Sequence, residues 1–159
     1  MSKHSLAAAA LALTAVVVAA HALAGNAVGQ KLYLFKASLD TRQETPAAKD
    51  ANGASGVLTA TLTVKGKRGV FAWKLSFKNL SGRATAARVH VGAPGKSGPF
   101  AMPLCQPCNV GAHGAFFGPF GANSALFKAL LNGGTYANMQ TKKNPNGEIR
   151  GQIKLTGTK

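Results

Sequence analysis

Acidic residues are what this sequence has least of. Its 159 residues carry 4 Asp and Glu against 19 Lys and Arg, a formal net charge of +15. The four carboxylates are Asp40, Glu44, Asp50 and Glu148. Glycosidase-type chemistry needs two such groups facing across a cleft, and nothing in their placement points to one. No serine-nucleophile motif accompanies the histidines. There is neither a phosphate-cradling Walker loop nor a dinucleotide fingerprint. Gly92, Gly95 and Gly98 are spaced by threes and read as turn residues. The expectation is a protein that is not an enzyme and carries no cofactor. Charged residues make up only 14% of the chain, and Gly occurs 19 times, which argues against a Glu/Lys-rich helical bundle and for turn-rich β structure. The length suits one domain.

The positive excess attracts anions at long range: cell-wall phosphate polymers, nucleic acid or anionic lipid. The basic residues are scattered apart from Lys65/Lys67/Arg68 and Lys142/Lys143. No basic run is interleaved with aromatics, so a base-stacking platform and a specific nucleic-acid partner are not expected. Anionic envelope polymers or another extracellular protein are the partners to consider, and solubility alone is the bland alternative.

The first 24 residues read as a secretory signal peptide. Lys3 and His4 form a short basic region, Leu6 to Ala20 is apolar except for Thr14, and Ala22-Leu23-Ala24 has small residues where a signal peptidase needs them. Cleavage after Ala24 leaves Gly25 to Lys159, 135 residues (159 − 24) with net charge +14 (18 − 4). The rival is an uncleaved membrane anchor. A spanning helix wants about 20 apolar residues, and this stretch is Ala-rich and interrupted by His21. With the signal cleaved, no membrane span is expected, and the protein is expected to be secreted or extracytoplasmic.

Beyond the signal, short alternating segments are separated by Gly, Asn and Pro. Strands are expected at Leu32–Leu39, Val57–Val64, Val70–Phe77, Ala84–Val91, Pro99–Leu104, Tyr136–Thr141 and Glu148–Leu155. Phe71, Trp73, Leu75 and Phe77 recur with period two, an apolar face that belongs in a core. Asn109–Gly121 is Gly-rich and reads as a structured loop. Its Phe116, Phe117 and Phe120 either plug one end of the core or form an exposed aromatic patch. Asn123 or Ser124 can cap a short helix over Ala125–Leu131 that Asn132-Gly133-Gly134 stops. Asn144-Pro145-Asn146-Gly147 has the residues of a tight turn. Together these give an all-β fold, an antiparallel Greek-key β-sandwich of the immunoglobulin-like or copper-zinc superoxide dismutase-like type, with one short helix.

Cys105-Gln106-Pro107-Cys108 is the sharpest local motif. In an exported chain the two thiols are expected to be oxidised, as a loop staple. The alternatives are a redox pair, which would want a helix N-terminus to lower a thiol pKa, and a metal site in which His113 joins Cys105 and Cys108. The flanking prolines favour a loop.

These landmarks resemble the CHRD domain, a module named after chordin. Phe35-Lys36-Ala37 followed by Gln43-Glu44-Thr45-Pro46 resembles the family's opening strand and turn. Ala54-Ser55-Gly56, leading into the second strand, and Phe77-Lys78-Asn79-Leu80-Ser81-Gly82 follow in order. Ala86 to Pro99 resembles A-H-I-H-x-G-x-x-G-x-x-G-P. Tyr136 to Thr141 resembles Y-V-N-V-H-T, and Asn144 to Gln152 resembles N-P-x-G-E-I-R-G-Q. The resemblance covers residues 33–155 and implies an extracellular β-sandwich module without established catalytic activity. Asp40 and Glu44 then sit in the family's turn and are expected to cap or brace it. Asn144, Pro145, Gly147, Glu148 and Arg150 form its last turn motif, with Glu148 and Arg150 at i and i+2 on a strand.

The family pattern also carries an H-x-H pair and a later His, which could converge on one metal. Here Arg88 stands at the first position and Gln140 at the last, and only His90 remains. A guanidinium has no lone pair to offer and repels a cation. Any ancestral metal site is therefore expected to be lost, with Arg88, His90 and Gln140 forming a hydrogen-bonded polar cluster that could include Glu148. The functional expectation is a secreted, non-catalytic binding or structural module. The alternative is an extracytoplasmic redox or metal-handling protein using Cys105 and Cys108.

Overall fold

The computed structural model describes residues 30–51 and 53–159; the expected signal segment lies outside them. Period-two alternation produces three long strands that pair in chain order: β1 (Lys31–Asp40), β2 (Ser55–Lys65) and β3 (Arg68–Lys78). Gly66 takes the positive φ, 62°, of the β2–β3 turn. The register sets Leu62 opposite Phe71, Ala60 opposite Trp73 and Leu58 opposite Leu75, and all six side chains are buried. Burying each of the large ones contributes roughly 1.5–3 kcal/mol.

The remaining elements are β4 (Ala84–Val91), β5 (Phe100–Cys105), β6 (Ala112–Gly118), α1 (Ala125–Leu131), β7 (Thr135–Thr141), β8 (Ile149–Gln152) and β9 (Lys154–Thr158). All pairings are antiparallel, in the order β5-β4-β7-β8-β1-β2-β3-β6, with β9 also beside β1. The fold is all-β with one short helix, as expected. Its two layers are the halves of one continuous sheet. The end strands β5 and β6 approach each other, so the sheet nearly closes into a barrel around a single core. The β3–β4 and β6–β7 connections cross between the halves in Greek-key fashion.

Two expected segments differ. The Asn109–Gly121 stretch, read as a loop, contains the strand β6, paired from Gly69–Gly118 to Leu75–Ala112. Gly114 has a packing reason: a Cβ there would press on the Trp73 indole. Phe120 plugs the core, whereas Phe117 is 75% exposed. The expected strand Glu148–Leu155 breaks at Ile153. There the N–H donates to Thr135 of β7 (2.9 Å) and the side chain enters the core, after which β9 pairs with β1 instead. The helix matches its expected span. Ser124 Oγ accepts from Phe127 N–H (3.1 Å), and Phe127 sets its edge on Tyr33, 5.3 Å between centroids.

Candidate functional site

On β4, β7 and β8 the residues between the core positions Val89, Ala137, Met139 and Ile149 point to the outer face. They form two rows across the strands, His90–Tyr136–Gln152 and Arg88–Asn138–Arg150. An outer face of such residues is ordinarily solvated. Here Tyr136, Asn138, Gln152 and Arg150 are buried, Arg150 to 1% exposure. The β1–β2, β4–β5 and β7–β8 connections fold over them as a roof, making a second, polar core outside the sheet.

The β4–β5 connection is fastened at four points. Arg150 Nη2 donates to the carbonyls of Ala93 (3.0 Å) and Lys96 (2.9 Å), while its guanidinium lies 3.5 Å from the Tyr136 ring centre. Tyr136 stacks on His90, with centroids 5.2 Å apart and 9° between planes, and its hydroxyl accepts from Gly98 N–H. His90 Nδ1 lies 3.1 Å from the Gly98 carbonyl oxygen. Gln152 Nε2 donates to the carbonyls of Gly92 and Gly133. Burial and the nearby Arg88 and Arg150 cations push the His90 pKa down, against the hydrogen bond to Gly98.

Glu44 reaches into the roof from the β1–β2 connection. Its Oε1 accepts from Asn138 Nδ2 (2.8 Å), which also donates to the Asn146 carbonyl. Burial pushes the Glu44 carboxyl up to about 7, although Arg150, the Thr45 amide and Asn138 all pull it down. Glu148 has the opposite balance. Burial raises it, but hydrogen bonds from Ser81 N–H and Oγ, Thr141 Oγ1 (2.6 Å) and Asn144 Nδ2 (3.1 Å) prevail and hold it below the usual carboxylate range. Asn144 also exchanges two hydrogen bonds with the Lys49 backbone. Asp40 caps the short 3-10 turn at Thr41–Gln43, accepting from Arg42 N–H and Gln43 Nε2.

The expected hydrogen-bonded cluster of Arg88, His90 and Gln140 with Glu148 does not assemble. The register places Gln140 opposite Ala86, and Arg88 opposite Asn138. Gln140 is four residues from Tyr136, the partner of His90, or about 13 Å along the strand. Glu148 faces Ser81 and Thr141 instead. His90, Arg150 and Glu148 each enter the polar core with partners of their own, and Arg88 and Gln140 lie at its margin. Motif spacing does not show the roles of Tyr136 and Asn138, nor that Glu44, expected to cap or brace its own turn, reaches across to Asn138. One signal was present: Glu148, Arg150 and Gln152 alternate on one strand, three long polar side chains on a face that must be either solvated or covered.

Cys105 ends β5 and is joined to Cys108 in a disulfide, with Cα atoms 5.1 Å apart. Cys108 is buried, and its N–H donates to the Ala84 carbonyl. His113 lies on β6 opposite Lys74. Among the described residues, no group of three or more His, Cys, Asp or Glu could hold a metal ion.

The class defined by this geometry is an antiparallel, nearly closed β module with one outer face roofed by hydrogen-bonded connections. The chain matches the CHRD domain model over residues 35–153 and belongs to the CHRD domain family. No curated protein and no solved structure matches it.

Proposed function

We propose that the chain is an exported, non-catalytic CHRD module that acts as a binding or structural element at or outside the cell envelope. One observation carries the non-catalytic part: three of the four carboxylates are spent on structure. Glu148 and Glu44 face Ser81, Thr141, Asn144 and Asn138 rather than a cleft, and Asp40 caps its own turn. Ser81, the hydroxyl nearest a carboxylate, donates to a Glu148 held in its charged form, which is a poor base. The apolar N-terminal stretch ending in Ala22-Leu23-Ala24 and the oxidised cysteine pair support export.

The redox reading is less well supported. Cys108 is buried, and the helix α1 begins at Ala125, far from either sulfur in sequence. Cell fractionation with N-terminal mass analysis tests the proposal. The expected result is an extracytoplasmic form beginning at Gly25 with no free thiol. A cytoplasmic form retaining Met1 with two reactive thiols would overturn it.

A further inference from the structure

The two outer faces of the sheet are unlike. The β4-β7-β8 half is roofed, whereas no connection among the described residues folds over the face of β1, β2, β3 and β6. Register defines its surface. Leu32, Thr63, Val70 and Phe117 form one row, and Leu34, Thr61, Ala72 and Ala115 the next. These rows are uncharged, and Phe117 stands on them 75% exposed.

Three depressions follow one another along the β2–β3 pair on this face. The first, of about 670 Å³, is bounded by Lys65, Lys67, Arg68, Val70 and Phe117. The second, of about 410 Å³, lies between Leu34, Thr61, Ala72 and Lys74. The third, of about 450 Å³, is bounded by Ser38, Val57, Ser76 and Lys78. From the Lys65–Arg68 pair to the Ser55–Lys78 pair is ten residues of strand, about 33 Å.

The trough is cationic at its hairpin end and again midway, where Lys154, Lys36 and Lys74 lie in one row across the strands. Its single carboxylate, Asp40, stands at the far end and is already held by Arg42 and Gln43. Glu44 and Glu148 are buried under the roof on the other half. Among the described residues, the ion pair Arg42–Asp40 is the only one. Among the described residues, no trough cation is within ion-pair distance of a carboxylate.

We propose that this trough binds a linear anionic glycan, laid along β2 and β3 with its charged groups on the two cationic clusters and a sugar ring on Phe117. The proposal rests on the exported-module reading and names the partner of that module. Charge complementarity selects an anion and disfavours a second copy of the chain, because two such cationic faces repel. A single exposed ring gives no succession of stacking platforms for a nucleic acid. Small, uncharged Thr and Ala rows beside one aromatic face suit a polymer with hydroxyls and weakly polar ring faces.

The test is titration of the purified mature protein with polygalacturonate and dextran sulfate, against neutral dextran and double-stranded DNA as controls. One triple variant, Lys65→Gln/Lys67→Gln/Arg68→Gln, alters the trough. A second, Arg83→Gln/Lys142→Gln/Lys143→Gln, removes the same charge elsewhere. Far-UV circular dichroism and Tm establish that both fold. The expected result is binding of an anionic glycan in preference to dextran and DNA. The trough triple should weaken it about tenfold or more and the control triple less than about threefold, with the difference shrinking as salt rises. Phe117→Ala should weaken it without changing the salt dependence.

Equal losses in the two triples would reduce the effect to a diffuse field and overturn the proposal, as would preference for DNA or indifference to Phe117→Ala. A mature, exported protein that ignores both glycans defeats the trough assignment and leaves the exported-module reading intact. Cytoplasmic retention defeats that reading whatever the affinities.

Discussion

The Glu44 carboxylate occupies the space that a Cβ on Gly147 would need. Gly147 has φ +148°, and a Cβ built there would overlap both Glu44 and the Asn138 amide nitrogen. The tight turn of Asn144-Pro145-Asn146-Gly147 and the Glu44–Asn138 contact, 94 residues apart in sequence, are thus one packing unit. Gly147→Ala imposes backbone strain and breaks a buried polar contact together, so it should cost about 3 kcal/mol or more in a urea unfolding titration. A loss within about 0.5 kcal/mol, the range of an ordinary surface change, would mean that the roof does not close on this glycine.

Glu44 gives stability a particular pH dependence. Its folded-state pKa, about 7, lies above the ordinary carboxyl value of 4.5. Between those values the folded protein holds a proton that the unfolded chain has lost, so stability falls as pH rises from 4.5 to 7. The full effect is about 3 kcal/mol at most. Gln at this position keeps an acceptor for Asn138 but cannot ionise. Glu44→Gln should flatten the fall, as read from urea midpoints at pH 5 and pH 8. An unchanged slope would place the titration elsewhere.

Glu148 acts with the reverse sign. Its carboxyl is held below the ordinary range, so its contribution is present above the unfolded value and lost as pH falls through the folded one. Wild-type stability should therefore decline on the acid side of 4.5, and Glu148→Gln should lessen that decline. An acid limb unaltered in the variant would contradict the assignment.

Arg150 is a buried cation that works through a flat guanidinium. Arg150→Ala leaves the Ala93 and Lys96 carbonyls and the Tyr136 face without their partner, and should cost about 3–5 kcal/mol, from two unsatisfied acceptors and one lost cation–π contact. Arg150→Lys should recover less than half, because an ammonium on a flexible stem cannot stack on the ring while donating to two carbonyls. Full recovery with Lys would show that charge alone matters here.

The Cys105–Cys108 bond closes a loop of only four residues, which limits its entropic effect to about 2 kcal/mol. The double change Cys105→Ser/Cys108→Ser should lower stability by about that much and leave glycan affinity unchanged. A loss of affinity would tie the loop to the binding face.

Much of the fold was legible because strand periodicity is a local property. Phe71, Trp73 and Leu75 announce an inward face, and Ser124 announces a helix start. β6 was not legible because glycine, which marks loops in sequence, here makes room for Trp73. The break at Ile153 depends on whether β1 or β7 offers a partner, which only the assembled sheet determines. The polar core was half legible. The alternation of Glu148, Arg150 and Gln152 places them on one face, but whether water or three connections cover that face is decided by residues far away in the chain. The expected Arg88–His90–Gln140 cluster does not form for the same reason, since register sets Gln140 opposite Ala86.

The roofed face is a closed structural core and not an open site. Native-state amide hydrogen exchange tests it most directly, read at Lys49, Ser81 and Gly98, whose N–H groups donate to Asn144, Glu148 and Tyr136 beneath the roof. A closed roof requires opening free energies within about 1–2 kcal/mol of global unfolding at all three. Exchange at the rate of an unprotected loop would contradict it, because the connections would then be lifting away and leaving Glu44, His90 and Arg150 open to a ligand.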